Sequence, residues 1–279
     1  MTDVHIPAVL AHERAHTTPV VSRPASGRRL IRHSLVLARR SLTKSARNPG
    51  MFLDALLLPV VFLVMFVYLF GGSVAGSTSD YLQYLFPGIL VMTTILTGLT
   101  TTGLSINVDI KKGVFDRFRS LPIGRSAPLI GSVLGDTIRY AVTTATLFGL
   151  GYLLGFRIGT DPLSALAAAA LAITFGFCLS WANVLIGVVV KGETVVTSVA
   201  FLGIFPLAFG TDMVAPEHAL PGWLQAWVDV NPVSQAIEAT RGLLVGGPVA
   251  GPAVRALLWS AAFLAVFAPL AVRAYRRRV

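Results

Sequence analysis

Cysteine is nearly absent: the 279-residue chain has one, Cys178, inside an apolar run. A lone thiol makes no internal disulfide and no cysteine-based metal cluster. Cys178 is read as a small packing residue, and the redox compartment is not legible from it. Charge is scarce as well. Asp, Glu, Lys and Arg make up 13% of the chain, against roughly 25% in soluble domains. Acidic groups are the scarcer sign, 13 against 23 basic. The phosphate-cradling pattern G-x-x-x-x-G-K-[ST] is missing, and no Gly-Lys dipeptide occurs. The chain is therefore not expected to hydrolyse a nucleotide itself. Residues 1–27 hold no apolar run, so they do not read as a signal peptide. They read as a mobile cytosolic tail.

What is abundant is apolar. Hydrophobic residues are 54% of the chain, and the mean hydropathy is +0.72. Six apolar segments lie at about 51–70, 85–107, 128–154, 163–190, 194–213 and 254–272, each near the roughly 20 residues a bilayer requires. The fold class expected is all-α: a polytopic membrane protein with six transmembrane helices over residues 51–273. Residues 28–48 differ. Ile31, Leu35, Ala38 and Leu42 form one helical stripe, and Arg28, Arg29, Arg32, Arg39, Arg40, Lys44 and Arg47 make the remainder basic. This reads as an amphipathic helix in a membrane interface, the alternative being a solvated helix packed on a protein partner.

Cations orient the chain. All but Arg139, Arg157, Arg241 and Arg255 of the 23 Lys and Arg lie in 1–50, 109–127, 191–193 or the basic end at 273–279. Positive loops stay in the cytosol, which predicts both termini inside. The basicity then follows from topology, and no nucleic-acid partner is expected.

The loop after the second segment carries the most information. Lys111 and Lys112 precede Gly113, and Val114, Phe115, Phe118 and Leu121 form the apolar side of a short helix. Lys111, Lys112, Asp116 and Arg119 form its charged side, with Arg117 beside it. Pro122 ends it. A connector needs neither aromatics nor amphipathicity, so this cytosolic helix at about 110–122 is expected to dock in a groove of a soluble partner. The alternative is a loop helix lying on lipid. In the third segment, Asp136 and Arg139 are one helical turn apart. They are expected to pair at the cytosolic interface, an alternative being a role in gating. The second segment is rich in hydroxyls, including Thr97, expected to bond across helices or to line a polar path. Gly131…Gly135 and Gly151…Gly155 have small-xxx-small spacing, a weak signal with 26 glycines.

Residues 214–250 are too long for a plain loop and read as an external helical hairpin. Trp223 and Trp227 suit a water–lipid boundary, Asn231-Pro232 marks the turn, and Glu238 and Arg241 are spaced to pair. His12-Glu13-Arg14-Ala15-His16 matches the zinc-protease pattern, but Thr17-Thr18-Pro19 follows directly and no third ligand is near. The match is read as accidental, and no metal site is expected.

An amphipathic basic N-terminal helix, six spans, a cytosolic helix after the second and an outer hairpin before the sixth together resemble the type 2 ABC exporter permeases (the ABC-2 type). The resemblance covers about residues 28–275. Its most specific piece is Lys112-Gly-Val-Phe-Asp-Arg-Phe-Arg-Ser-Leu-Pro122, similar to the family's pattern of Gly, an acid, Arg and a Leu-Pro-like ending. Leu220-Pro-Gly-Trp-Leu224, Asn231-Pro232 and Glu238-Ala-Thr-Arg241 form a second match. The subgroup it looks most like is the daunorubicin-resistance-like drug exporters. Asp109 stands where members often have Glu, and the tail at 1–27 has no place in the pattern.

The resemblance implies a permease subunit in a bacterial cell membrane, with no cofactor of its own. Two permease chains, identical or paralogous, would join two ABC ATP-binding subunits that hold ATP and Mg. The helix at 111–121 would seat in the ATPase, with Phe115 and Phe118 packing and Arg117 and Arg119 making charge contacts. An amphiphilic drug, antibiotic or lipid-like substrate would pass between protomers. Phe62, Phe66, Thr97, Phe201 and Phe205 are candidate liners of that path. A polysaccharide or lipid exporter of the same family is the alternative; further off stand a secondary transporter and a membrane-embedded zinc enzyme.

Overall fold

The computed structural model describes residues 50–98, 102–112 and 127–278, with side chains from 56 in the first stretch and from 129 in the third. No strand occurs among them. The long helices are α1 (Gly50–Val74), α2 (Thr78–Gly98), α4 (Ala127–Leu154), α5 (Pro162–Val189), α6 (Glu193–Phe209) and α9 (Ala250–Arg278). Shorter ones are α3 (Leu104–Lys111), and α7 (Gly222–Val230) and α8 (Pro232–Val245) between α6 and α9.

Among the described residues, four helices are long and apolar enough to cross a membrane: α1 from Leu56, α2, α5 and α9. The other two expected spans fall short of that standard. α6 has only 17 residues. α4 has 28, but Asp136, Arg139 and four threonines dilute its apolar content. The second span also begins earlier than the hydropathy pattern places it. Tyr81, Gln83 and Tyr84 look like loop residues in sequence, yet they belong to the first turns of α2, because Tyr81 is buried and its polar tip finds a carbonyl.

α2 and α5 form the centre, with α5 packed along α9 and α2, and α2 along α1 and α4. α8 is covered by protein: it packs on α2, α5 and α9, and Ala236, Ile237, Ala239 and Leu244 are buried. α1 and α9 lie outside, with Leu57, Tyr68, Leu69 and Leu258 each more than 60% exposed. Water would penalise such a surface heavily. Lipid does not, so the exposed belt and the length of these helices describe one environment.

Lipid supplies no hydrophobic drive between helices, so close approach must come from small residues. The tightest crossing joins α5 to Gly103, at the start of α3. A Cβ on Gly187 would lie 2.1 Å from Gly103 O, and one on Gly103 would lie 2.4 Å from Asn183 O. Gly176 similarly backs onto Thr94. Of the small-xxx-small pairs, Gly151 packs on the Phe86 ring, while Gly155 takes φ +106 after the end of α4.

The connections sort into two ends. At one, Asn107 Nδ2 donates to Gly187 O and Val190 O, Lys111 meets Glu193, and Arg278 Nη1 donates to Val188 O. At the other, Gly159 N donates to Leu244 O and Tyr81 Oη to Val214 O.

Candidate functional site

Three places gather polar or aromatic chemistry. The first is at the end holding α3. Lys111 Nζ sits 3.1 Å from Glu193 Oε1, with both side chains about half exposed. Lys112 follows as the C-cap of α3. Asn107 is buried, and its amide serves two carbonyls at the end of α5, at 2.9 and 2.8 Å. The last turn of a helix leaves carbonyls without partners, and Asn107 supplies two donors there. α3 is thus tied to α5 and α6 where it leads into the next segment. Gly113, Phe115, Asp116, Arg117, Phe118, Arg119, Leu121 and Pro122 lie outside the described residues, as do residues 28–48 and His12 and His16.

The second place is inside the bundle. Thr102 and Gly103 form a π-helical turn between α2 and α3. Thr102 Oγ1 donates to Asp136 Oδ2 at 2.7 Å, and Asp136 Oδ1 lies 3.2 Å from Arg139 Nη1. Both ionic side chains are about 5% exposed. The expected pair therefore forms, and it is shielded by protein, because α4 packs its polar face against α2 and α5. A wide turn of this kind leaves backbone groups needing partners and recurs at functional positions. Here it meets a buried ion pair.

Hydroxyls elsewhere in α2 also bond within their own helix. Thr93 donates to Ile89 O, Thr94 to Val91 O and Thr97 to Thr93 O, each within its own helix. Such back-bonding gives the hydroxyl a partner inside its own helix. Thr97 is fully buried, so it packs inside this chain rather than on an open path.

The third place is the opposite end. Asn231 Oδ1 accepts from Val233 N and caps α8, with Pro232 at the first helical position, where its missing N–H costs nothing. Asn231 Nδ2 donates to Leu207 O and Gly210 O at 2.9 and 2.8 Å. One amide therefore starts α8 and closes α6. Beside it, Arg241 Nη1 lies 2.6 Å from Asp212 Oδ2, and its guanidinium stacks 4.1 Å above the Tyr84 ring. Tyr84 Oη donates to Asp212 O at 2.5 Å. The expected Glu238–Arg241 pair is corrected. Arg241 is taken by Asp212, and Glu238 faces Arg255 of α9 at 3.9 Å. Burial pushes the Glu238 carboxyl above its usual range, and Arg255 pulls it back. A cavity of about 270 Å³ opens beside these groups. Trp223 is 75% exposed, while Trp227 packs its indole against Gly210.

Of the candidate path residues, four come together around a fifth. Phe62 and Phe66 of α1 are 5.8 Å apart, and Phe201 and Phe205 of α6 are 6.1 Å apart. Phe209 joins the pairs, 5.9 Å from Phe62 and 4.5 Å from Phe205. Phe201 and Phe205 remain substantially exposed, so an aromatic stripe faces out of the chain. Thr97 is not part of it.

Comparison with known proteins decides the family. The family model described as ABC-2 type transporter matches residues 32–245. The chain belongs to the ABC-2 type transporter family. Among relatives of this permease, the daunorubicin resistance ABC transporter permease protein DrrB1 of Streptomyces coeruleorubidus is 42% identical over 239 residues, 86% of this chain and 84% of the relative. A probable doxorubicin resistance ABC transporter permease protein, DrrC of Mycobacterium tuberculosis, is 30% identical across 90% of this chain and 91% of its own. A putative transport permease, ycf38 of Cyanophora paradoxa, is 25% identical over 76% of this chain and 74% of its own.

Sequence reading missed Asn107, Asp212, Tyr84 and Glu193 in this permease. Asp212 had a signal: an acid closing an apolar span, with Arg241 as the one cation of the next long connection. Asn107 had none, since a single amide in a polar turn is common.

Proposed function

We propose that this permease is the membrane subunit of an ATP-driven exporter that moves an amphiphilic drug or antibiotic out of a bacterial cell. The 42% identity to a daunorubicin resistance permease over 86% of the chain is the observation that supports it most directly. ATP and Mg belong to a separate ABC subunit, and a second permease chain completes the membrane part. The loops near α3 and both termini face the cytosol, as their Lys and Arg content favours.

Residues 110–122 are the contact with the ATPase. Phe115 and Phe118 pack in its groove, while Arg117, Arg119 and Asp116 make charge contacts at the rim. This segment begins in the last turn of α3, which is held by Asn107 and by the Lys111–Glu193 pair. Movement of the segment is thus passed to α5 and α6 and, through the π turn, to α2 and α4. The ATPase shifts the permease only as far as it binds one permease state more tightly than the other. The aromatic stripe of α1 and α6 faces the second permease chain and borders the path between protomers.

The test is co-expression with the ATP-binding subunit. Replacing Phe115 and Phe118 with Asp should abolish co-purification while the permease still reaches the membrane. Undiminished co-purification removes the docking role. Drug accumulation, compared in cells with and without both subunits, tests export.

A further inference from the structure

The cavity at the α7–α8 end is built unlike the rest of the protein. Asp212, Glu217, Asp229 and Glu238 all line it, and Arg241 is its one lining cation. Arg255 stands by Glu238. Four carboxylates against two guanidiniums leave the neighbourhood two charges negative, in a chain whose net charge is +10. Arg241 is held by Asp212 through Nη1 and covered by Tyr84, which leaves its Nε as the one unanswered donor among these groups.

The wall is also unfinished. Asp212 Oδ1, Ser234 Oγ and Gln235 Oε1 have no hydrogen-bond partner. All three residues line the cavity, and each is more than nine-tenths buried. Buried acceptors without donors are costly to a fold, and water or a ligand ordinarily answers them. Ser234 and Gln235 are adjacent at the start of α8, where Asn231 and Pro232 fix the helix. The Gln235 amide is also held, its Nε2 donating to Asp229 O at 3.1 Å.

We propose that this cavity binds a primary ammonium group. Such a group offers three N–H donors and one positive charge, matching three unanswered acceptors in a negative setting. A metal ion fits less well. Among the described residues no three His, Cys, Asp or Glu side chains are gathered to ligate one, and the acceptors here are a carboxylate, a hydroxyl and an amide. The volume, about 270 Å³, is slightly below that of pockets holding drug-sized molecules. It suits the charged head of an amphiphile whose apolar body stays outside. Tyr84 supplies an aromatic wall.

The ammonium has two sources. It belongs either to a transported amphiphilic amine, which rests on the exporter reading above, or to the headgroup of phosphatidylethanolamine, which does not. The experiment uses the full chain in phosphatidylcholine nanodiscs, titrated at constant ionic strength with n-butylammonium, n-butanol and tetramethylammonium. Binding is read by thermal denaturation and saturation-transfer NMR. Butylammonium should raise the melting temperature saturably. Butanol, which lacks the charge, and tetramethylammonium, which lacks the N–H donors, should not.

Glu217→Gln and Asp229→Asn change exposed side chains. Each should weaken butylammonium at least fivefold without altering the melting temperature of the free chain, and Ser234→Ala should weaken it further. Equal responses to all three probes, or full affinity in these variants, overturn the site. Adding phosphatidylethanolamine to the nanodiscs should suppress the response if the headgroup is the occupant and leave it intact if a soluble amine is. ATP-driven export, measured with the ATPase present, is read separately. Export without ammonium-specific binding removes the site and leaves the exporter; specific binding without export does the reverse.

Discussion

Asp136 illustrates how one residue's meaning depends on what surrounds it. Its carboxylate takes a hydroxyl from Thr102 and faces Arg139 at 3.2 Å, both ions buried. Removing one partner of a buried ion pair costs about 3–5 kcal/mol, because the other charge stays behind. Asp136→Ala should therefore lower the melting temperature sharply. Replacing Asp136 and Arg139 together with Leu should cost less than the single change, as measured by thermal denaturation in one detergent. If the double variant is as unstable as both singles combined, the two charges do not act as a pair. Asn231 works at the same scale without charge. Asn231→Ala removes the α8 cap, worth about 1 kcal/mol, and two further bonds to α6, each worth roughly 1 kcal/mol. Limited proteolysis should find faster cleavage within 210–231.

Among elements, the α5 crossing carries the sharpest expectation. Gly187→Ala would push a methyl into Gly103 O. It should destabilise the chain and loosen α3, the helix that leads into the segment proposed to dock on the ATPase. Gly149 is the control. It lies inside α4 with nothing near its missing Cβ, so Gly149→Ala should stabilise by about 0.5–1 kcal/mol. Equal effects of the two changes would remove the crossing argument. α5 also begins on a titratable cap. Asp161 accepts from Leu163 N and Ser164 N, and the Ser164 hydroxyl holds its carboxyl below the usual range. A lowered pKa means the cap contributes above about pH 4, the unfolded value, and fades as pH falls below it. The melting difference between wild type and Asp161→Ala should shrink on acidification through that range.

At the scale of the whole molecule, the ends of the bundle matter more than any residue. With Cys178 changed to Ala, single cysteines at Lys112 and Glu217 should label from opposite sides of the membrane, Lys112 from the cytosol. Labelling from the same side would contradict the two-ended arrangement. Labelling of Lys112 from outside would contradict the orientation proposed from charge. Deleting residues 1–27 should leave export unchanged.

Class, helical content and family were readable from composition, apolar run lengths and the 112–122 motif, since lipid demands long apolar helices whatever their packing. Phe62, Phe66, Phe201 and Phe205 were picked out from sequence, and they do share a stripe through Phe209. Thr97 was not separable from its neighbours, because a hydroxyl that bonds its own helix looks the same in sequence as one that bonds another. Partner choice was likewise illegible: the i,i+3 rule pairs Glu238 with Arg241 when α8 stands alone. Only the packed chain brings Asp212 and Arg255 to them, across 29 and 17 positions. Sequence alone determined that this protein lives in a bilayer and which family it resembles, because local apolarity fixes the solvent of each segment. The tertiary structure alone decided which polar groups meet, because burial removes water as a partner and leaves each charge only what distant helices bring within reach.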